Sequence, residues 1–200
     1  KHAGVQLEIG TLYSKERNLN AAMKHMIIAL TCLKDADLGG SEDRALSAQV
    51  HCSIAEAIME DLNAKRSTVR AEVAAEKFNQ ALDHYKQALD VYTMEAHPID
   101  FVRTTCQAAG TVVHAATQVI FDMHGLVCLF QGNRTRLHVA YKEYLEALAV
   151  AEAVGLVVRG LDESVGKTHY QALHALDHAF AGCIKTSIRL GMYAEVCVCV

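Results

Sequence analysis

The stretch ALDHYKQALDVY, residues 81–92, carries the pattern A-x-x-x-Φ-x-x-A-L, where Φ is a large apolar or aromatic residue. The pattern also begins at Ala22 and at Ala140, so its three copies are spaced equally, by 81 − 22 = 59 and 140 − 81 = 59 residues. A fixed interval is typical of stacked repeats, in which no unit can bury its apolar face alone. The pattern positions in the three copies are Ala22, Met26, Ala29 and Leu30; Ala81, Tyr85, Ala88 and Leu89; and Ala140, Tyr144, Ala147 and Leu148.

Composition supports helix as the structure of each repeat. Hydrophobic residues make up 52% of the chain and charged residues 21%, with one proline among 200 residues. Proline is the strongest helix breaker, and most of the abundant residue types are good helix formers. The sequence therefore predicts an all-α fold, a right-handed α-solenoid of stacked antiparallel helix pairs with about seven to eight helices and no sheet.

Charge and cysteine content narrow the functional classes. The formal net charge is −4, whereas proteins that bind phosphate backbones usually present a basic face, so we expect no nucleic-acid partner. The seven cysteines follow no regular disulfide spacing and fall mostly in helical apolar patterns, which indicates a reduced, cytoplasmic protein. Apolar runs are too short to span a bilayer. Because the sequence starts at Lys1, we expect it to be part of a longer chain.

Turn residues place the helix boundaries. Gly39 is predicted to end one helix and Ser41 to cap the next, while Pro98 is predicted to open another. Helices are expected from Val73 to about Met94 and from Ile99 to Phe130. These boundaries give one repeat domain over the chain, with units at 1–38, 41–96 and 97–155 and an incomplete unit at 160–200.

Both ends and the middle of the chain resemble the tetratricopeptide repeat family. Near the start, Ile9, Gly10 and Tyr13 match the first helix of that repeat, and Ala22, Met26 and Ala29 match its second helix. The segment YKQALDVYTMEAHPIDFVRTT at 85–105 resembles the junction between successive repeats, and LGMYAEV at 190–196 resembles the turn inside one. The usual repeat has about 34 residues, so an interval of 59 implies a divergent, long-helix variant.

The resemblance implies a function and a surface for it. In this family the first helix of each pair lines a groove that receives a peptide or a helix of another protein. Family members that bind peptide carboxylates carry Lys and Asn at the positions of Leu7 and Thr11, so a different partner segment is expected here. The matched groove positions are Thr11, Lys15, Glu56, Met59, Arg103, Gln107 and His114.

We therefore expect a non-enzymatic scaffold that binds another protein and needs no cofactor. One alternative is a regulatory or sensor module within a larger signalling protein. A remoter alternative is a helical enzyme that binds a nucleotide or a metal ion. The oligomeric state is not indicated by any of these patterns.

Two motifs bear on the enzyme alternative. The segment GLDESVGKT at 160–168 resembles a phosphate-binding loop, but five residues separate its glycines where the motif requires four. The segment VIFD at 119–122 resembles a metal-holding strand end but lies in a helical pattern. Both are better explained as parts of helices and their entry loops.

Other polar clusters in the sequence contain residue types that can bind metals or be modified. His174 and His178, with His169 and Asp177 nearby, lie one helical turn apart but lack an identifiable third ligand, so a solvated pair is favoured. The single C-x-C of Cys197 and Cys199 is a poor zinc motif. Asn133-Arg134-Thr135 fits an ordinary polar turn, and the basic residues at 65–70 fit a solvated connector.

Overall fold

Every regular element in the described part of the chain is an α-helix. The structure, a computed structural model, describes residues 2–35, 40–65, 68–122, 137–149, 180–188 and 190–191. Seven helical segments occur in these ranges and no strand does, which confirms the predicted all-α fold there. They are α1 (His2–Lys15), α2 (Leu19–Asp35), α3 (Ser41–Ala64), α4 (Ala71–Leu89), α5 (Pro98–Asp122), α6 (residues 137–149) and α7 (residues 180–188).

The chain divides into two compact units, Lys1–Val91 and Tyr92–Val200. The first unit contains α1 to α4, and the described helices of the second are α5 to α7. The expectation of a single repeat domain over the whole chain stays a prediction.

The first unit is built from two antiparallel helix pairs. In the pair of α1 and α2, Gln6 contacts His25 and Gly10 lies against Ala22, so sequence numbers fall on one helix as they rise on the other. The pair of α3 and α4 follows the same rule, with His51 beside His84 and Asp61 beside Lys77. Because α2 also packs on α3, the pairs stack in a solenoid-like arrangement within this unit.

The repeated sequence pattern is the packing face of the second helix in each pair. Its alanines and its Φ residues, Met26, Tyr85 and Tyr144, are at most 3% exposed in all three copies. Alanine lets two helix backbones approach closely, while the Φ residue fills the space one turn further along. The close approach is visible at Gly10, where an added Cβ would lie 3.0 Å from the Met26 Cγ and 3.1 Å from the Ala22 carbonyl oxygen.

In the second unit, one apolar cluster joins the three described helices. It combines Val102, Cys106 and Ala109 of α5 with Ala140, Tyr144 and Ala147 of α6 and with Cys183 of α7. A Cβ added at Gly182 of α7 would overlap the Tyr144 ring. The third copy of the pattern is therefore packed on a glycine of the next described helix.

Two predicted helix boundaries are wrong. Ser41 is the first helical residue of α3, and Gly40, with extended φ −94° and ψ 144°, is its N-cap without a side-chain hydrogen bond. Helix α4 ends at Leu89 instead of near Met94, since the Val91 amide already turns back to the Ala88 carbonyl. Pro98 opens α5 as predicted, with Asp100 in its first turn.

The long helix predicted for residues 99–130 is helical as far as Asp122, and its remaining residues lie outside the described ranges. Gly39 also lies outside them. Among the helices that the structure describes, none is long and apolar enough to cross a membrane.

Candidate functional site

A pocket of about 470 Å³ lies where α1 meets α3, the first helices of the two stacked pairs. Its size falls within the range of ordinary ligand pockets, about 300 to 1,000 Å³. It is lined by Gly4, Leu7, Glu8, Thr11, Leu12 and Lys15 of α1 and by Leu46 and Gln49 of α3.

One stripe of α1 supplies most of the lining. Gly4, Glu8, Thr11 and Lys15 follow each other at intervals of three or four residues, which places them on one helical face. The Thr11 hydroxyl donates to the Leu7 carbonyl at 2.9 Å, so its single donor is used within α1. The stripe therefore offers two charges, those of Glu8 and Lys15, with Thr11 between them.

Leucines form the apolar part of the pocket. Leu7 is 5% exposed and anchors α1 in the core, whereas Leu12 is 59% exposed and Leu46 is half-buried. Leu12 therefore adds exposed apolar surface to the edge of the pocket, beside the charged residues. Across the contact between α1 and α3, the Ser14 hydroxyl donates to a Glu60 carboxylate oxygen at 3.2 Å.

Two of the seven predicted groove residues line this pocket. Thr11 and Lys15 do, while Glu56 is exposed and Met59 half-buried further along α3, outside the lining. The remaining three, Arg103, Gln107 and His114, belong to α5 in the second unit and are half-buried. Arg103 is paired with Asp100 at 2.8 Å, which uses part of its hydrogen-bonding capacity locally.

Six of the lining residues were not predicted as groove positions from the sequence. Gly4, Leu7 and Glu8 could have been found by extending the helical stripe from Thr11 toward the start of α1, and Leu12 by the step of four residues from Glu8. Leu46 and Gln49 gave no such signal, because they reach the pocket only through the packing of α3 beside α1.

A second polar feature, a buried histidine pair, connects α3 and α4. The Nδ1 atoms of His51 and His84 are 2.8 Å apart and the ring centroids 5.1 Å apart. A hydrogen bond between two imidazole nitrogens requires one to donate and the other to accept, so at least the accepting ring is neutral. Nothing in the amino-acid pattern predicted this pair.

Burial is the main reason why both histidines resist protonation. It lowers the pKa of His51 to about 4, with further contributions from the nearby His84 and Lys34. Burial also lowers the pKa of His84, although the Asp83 carboxylate acts in the opposite direction. The pair is therefore largely uncharged at neutral pH. In acid the two rings take up protons, and their positive charges then destabilise the contact between α3 and α4.

Buried ionisable groups also occur in the second unit. Burial, together with the neighbouring Cys183, raises the pKa of Cys106 to about 12, so its thiol stays protonated and is a poor nucleophile. Burial and the nearby Glu146 raise the pKa of Glu143. None of the four cysteines that the structure describes, which are Cys32, Cys52, Cys106 and Cys183, forms a disulfide bond.

Several motifs considered for enzyme or metal chemistry lie outside the described residues. They are GLDESVGKT at 160–168, the histidines His169, His174 and His178, the segment 133–135, and the Cys197 and Cys199 pair. Residues 119–122 are the end of α5 and are helical, not a strand. Across the ranges that are described, no three His, Cys, Asp or Glu side chains are grouped so as to hold a metal ion.

The basic connector between α3 and α4 has a local structural role in its described part. Lys65 follows the end of α3 and pairs with Asp61 at 2.6 Å, and Asp61 also binds Lys77 of α4. Thr68 donates its hydroxyl to the Lys65 carbonyl at 3.0 Å, and Arg70 is the N-cap residue of α4. These contacts fix the turn between the two helices.

Comparison with known proteins finds no matching family model and no matching curated protein.

Proposed function

We propose that this chain is a non-enzymatic scaffold that binds a segment of another protein along the face formed by α1 and α3. The observation that carries the proposal is the pocket between the first helices of two stacked pairs, lined by Thr11 and Lys15. That is the surface on which the resemblance to tetratricopeptide repeats places the binding groove.

The first and second helices of the two pairs differ in what they expose, and this difference supports the proposal. In the second helices the alanines and the Φ residues of the repeated pattern are buried in the core, and Met26 and Tyr85 are each 2% exposed. On α1, by contrast, Glu8, Thr11, Leu12 and Lys15 are exposed around a recess. A rigid support with an open, mixed apolar and charged recess is the usual arrangement of a peptide-recognition surface.

The finer assignment, a tetratricopeptide-like domain in the cytoplasm, belongs to the same proposal. It is supported by the resemblance of the first pair, in which Gly10 packs on Ala22 and Met26, and by the described cysteines, which form no disulfide bond. Cysteines without disulfide bonds are typical of a reducing compartment.

Site-specific photo-crosslinking tests the proposal. A photoreactive amino acid replaces Thr11 in the pocket in one variant and Asn79, an exposed residue of α4, in a matched control. Each variant is irradiated in an extract of cells that express the protein, and the products are identified by mass spectrometry. We expect a discrete protein adduct from position 11 that is missing from position 79. Identical products from the two positions, or none from position 11, would overturn the proposal.

A further inference from the structure

The charges of the pocket are arranged as a pair of opposite sign. Glu8 and Lys15 both line it, both are exposed, and neither forms an ion pair or side-chain hydrogen bond with another described residue. They are seven residues apart on α1, which corresponds to about 10 Å along the helix axis at 1.5 Å per residue. A partner that satisfied both would carry a basic group and an acidic group about 10 Å apart.

An extended peptide meets that spacing over a short stretch. In the extended polyproline II conformation, which has three residues per turn and rises about 3.1 Å per residue, side chains three positions apart lie on the same side of the chain, about 9 Å apart. A basic residue and an acidic residue three positions apart would therefore face Glu8 and Lys15 respectively. The two side chains between them point to the other sides of the peptide, and the one directed toward α3 would lie over Leu46 and beside Leu12, which favours an aliphatic residue at that position.

A helical partner fits the recess less well. An α-helix with its side chains is about 10–12 Å wide, whereas the axes of two packed helices usually lie about 8–10 Å apart. A partner helix would therefore rest on the outer side chains and leave the floor around Leu7 unfilled. An extended segment can place one side chain on that floor.

We infer that the pocket between α1 and α3 selects an extended protein segment in which a basic and an acidic residue, three positions apart, flank an aliphatic residue. This inference rests on the proposed function, because it names the chemistry of the partner at the same surface. Glu8 binds the basic residue, Lys15 binds the acidic residue, and Leu12 and Leu46 contact the aliphatic side chain.

Binding of short labelled peptides, measured by fluorescence anisotropy with the full chain, tests the inference. The dipolar peptide carries Lys and Glu three positions apart with Leu between them. The comparison peptides replace the charged pair by two Lys or by two Glu, and a further peptide carries Lys and Glu seven positions apart in a helix-forming sequence. We expect the dipolar peptide to bind best, with an advantage that shrinks in about 1 M salt, where the screening length is about 3 Å.

Charge reversal on the protein gives the decisive comparison. Lys15→Glu makes both ends of the pocket acidic, and Glu8→Lys makes both ends basic. We expect each variant to lose about three- to tenfold in affinity for the dipolar peptide, which is the range for turning one exposed attraction into a repulsion. Lys15→Glu should gain affinity for the peptide with two Lys, and Glu8→Lys for the peptide with two Glu. Such a gain cannot come from unfolding.

Gly4 offers a steric test that leaves the charges in place. A Cβ at this position meets nothing within 4 Å, so a larger side chain fits α1 without a clash and narrows the pocket beside Glu8. We expect Gly4→Phe to weaken binding of the dipolar peptide about tenfold and Gly4→Ala, which adds much less volume to the pocket, to weaken it less than Gly4→Phe does. Lys24→Glu, an exposed reversal on α2 outside the lining, is the matched charge control and should have no effect.

Three outcomes would overturn the inference. They are equal binding of all extended peptides, preference for the helical peptide, and no binding of any peptide. The photo-crosslinking experiment separates these from a failure of the proposed function. If position 11 captures a partner whose contacting segment lacks the dipolar pattern, the scaffold function stands and the stated specificity is wrong.

Discussion

At the scale of single residues, glycine has opposite roles at two helical positions. Gly182 of α7 lies where an added Cβ would overlap the Tyr144 ring, whereas Gly4 of α1 has open space around it. The same substitution should therefore have opposite effects at the two sites. Neither role follows from the residue type, because both glycines lie within helices.

We expect Gly182→Ala to lower the free energy of unfolding by about 1–3 kcal/mol, the usual cost of forcing extra volume into a packed core. Gly4→Ala is the matched control and should be neutral or stabilising by up to about 1 kcal/mol, since alanine is the better helix former. Urea denaturation followed by circular dichroism measures both. An equal effect of the two substitutions would show that Tyr144 does not pack on Gly182.

Neighbouring residues of α2 provide a second contrast at this scale. Met26, the Φ residue of the first copy, is 2% exposed, and Ile27 beside it is 52% exposed. Met26→Ala should lower the free energy of unfolding by about 2–5 kcal/mol, because it removes buried methylene groups and leaves a cavity. Ile27→Ala should change it by less than about 0.5 kcal/mol, as is usual for exposed positions. Comparable losses in denaturant titrations would contradict the assignment of the pattern to the core.

At the scale of helices, the contact between α3 and α4 includes a histidine pair that protonation opposes. His51 and His84 share a hydrogen bond whose accepting nitrogen must be unprotonated, so the bond is lost when both rings carry the extra proton. The groups around them, Lys34 and Asp83, influence the two rings in opposite directions, and burial dominates for both. The interface therefore combines apolar packing with one element that is sensitive to pH.

The sign of the pH effect follows from the lowered pKa values. An unfolded histidine takes up a proton below about pH 6.5, whereas folded His51 does so only near pH 4. Between these values the unfolded state binds more protons, so stability is fully present above about pH 6.5 and falls as the pH drops toward 4. We expect a loss on the order of 1–2 kcal/mol, allowing for the solvent that reaches the pair.

Urea denaturation at pH values between 7.5 and 4 measures this loss. The double variant His51→Leu/His84→Leu is the control, because it keeps an apolar contact and removes the titrating groups. Its stability should vary less over the same range, and NMR titration of the wild-type rings should place the His51 pKa well below 6.5. Parallel pH profiles of the two proteins would show that the pair does not couple folding to protonation.

At the scale of the whole molecule, the helical content and the core positions were predictable from the sequence. The equal spacing of Ala22, Ala81 and Ala140 identified three packing faces, and the structure buries all of them. This succeeded because side chains three and four residues apart share a helical face whatever the rest of the chain does. Helix ends were less predictable, as Ser41 and the early end of α4 show, because they depend on single backbone hydrogen bonds.

The candidate site was predictable only in part. Thr11 and Lys15 were identified through the family resemblance, while Glu8, Leu46 and Gln49 were not. The first two belong to a pattern within one helix. The contact of Leu46 and Gln49 with the pocket instead depends on how α3 is placed beside α1, across a separation of more than thirty residues in the chain.

The sequence by itself thus determined the helical character of the described segments, apart from their ends, and which face of each second helix is buried, since both follow from local periodicity. Tertiary structure alone decided that His51 meets His84 and that Glu8 and Lys15 share a recess with Leu46. The physical reason is that side chains on different helices meet according to the angle and offset at which those helices pack. Angle and offset result from the fit of whole surfaces and are not encoded in any short stretch of residues.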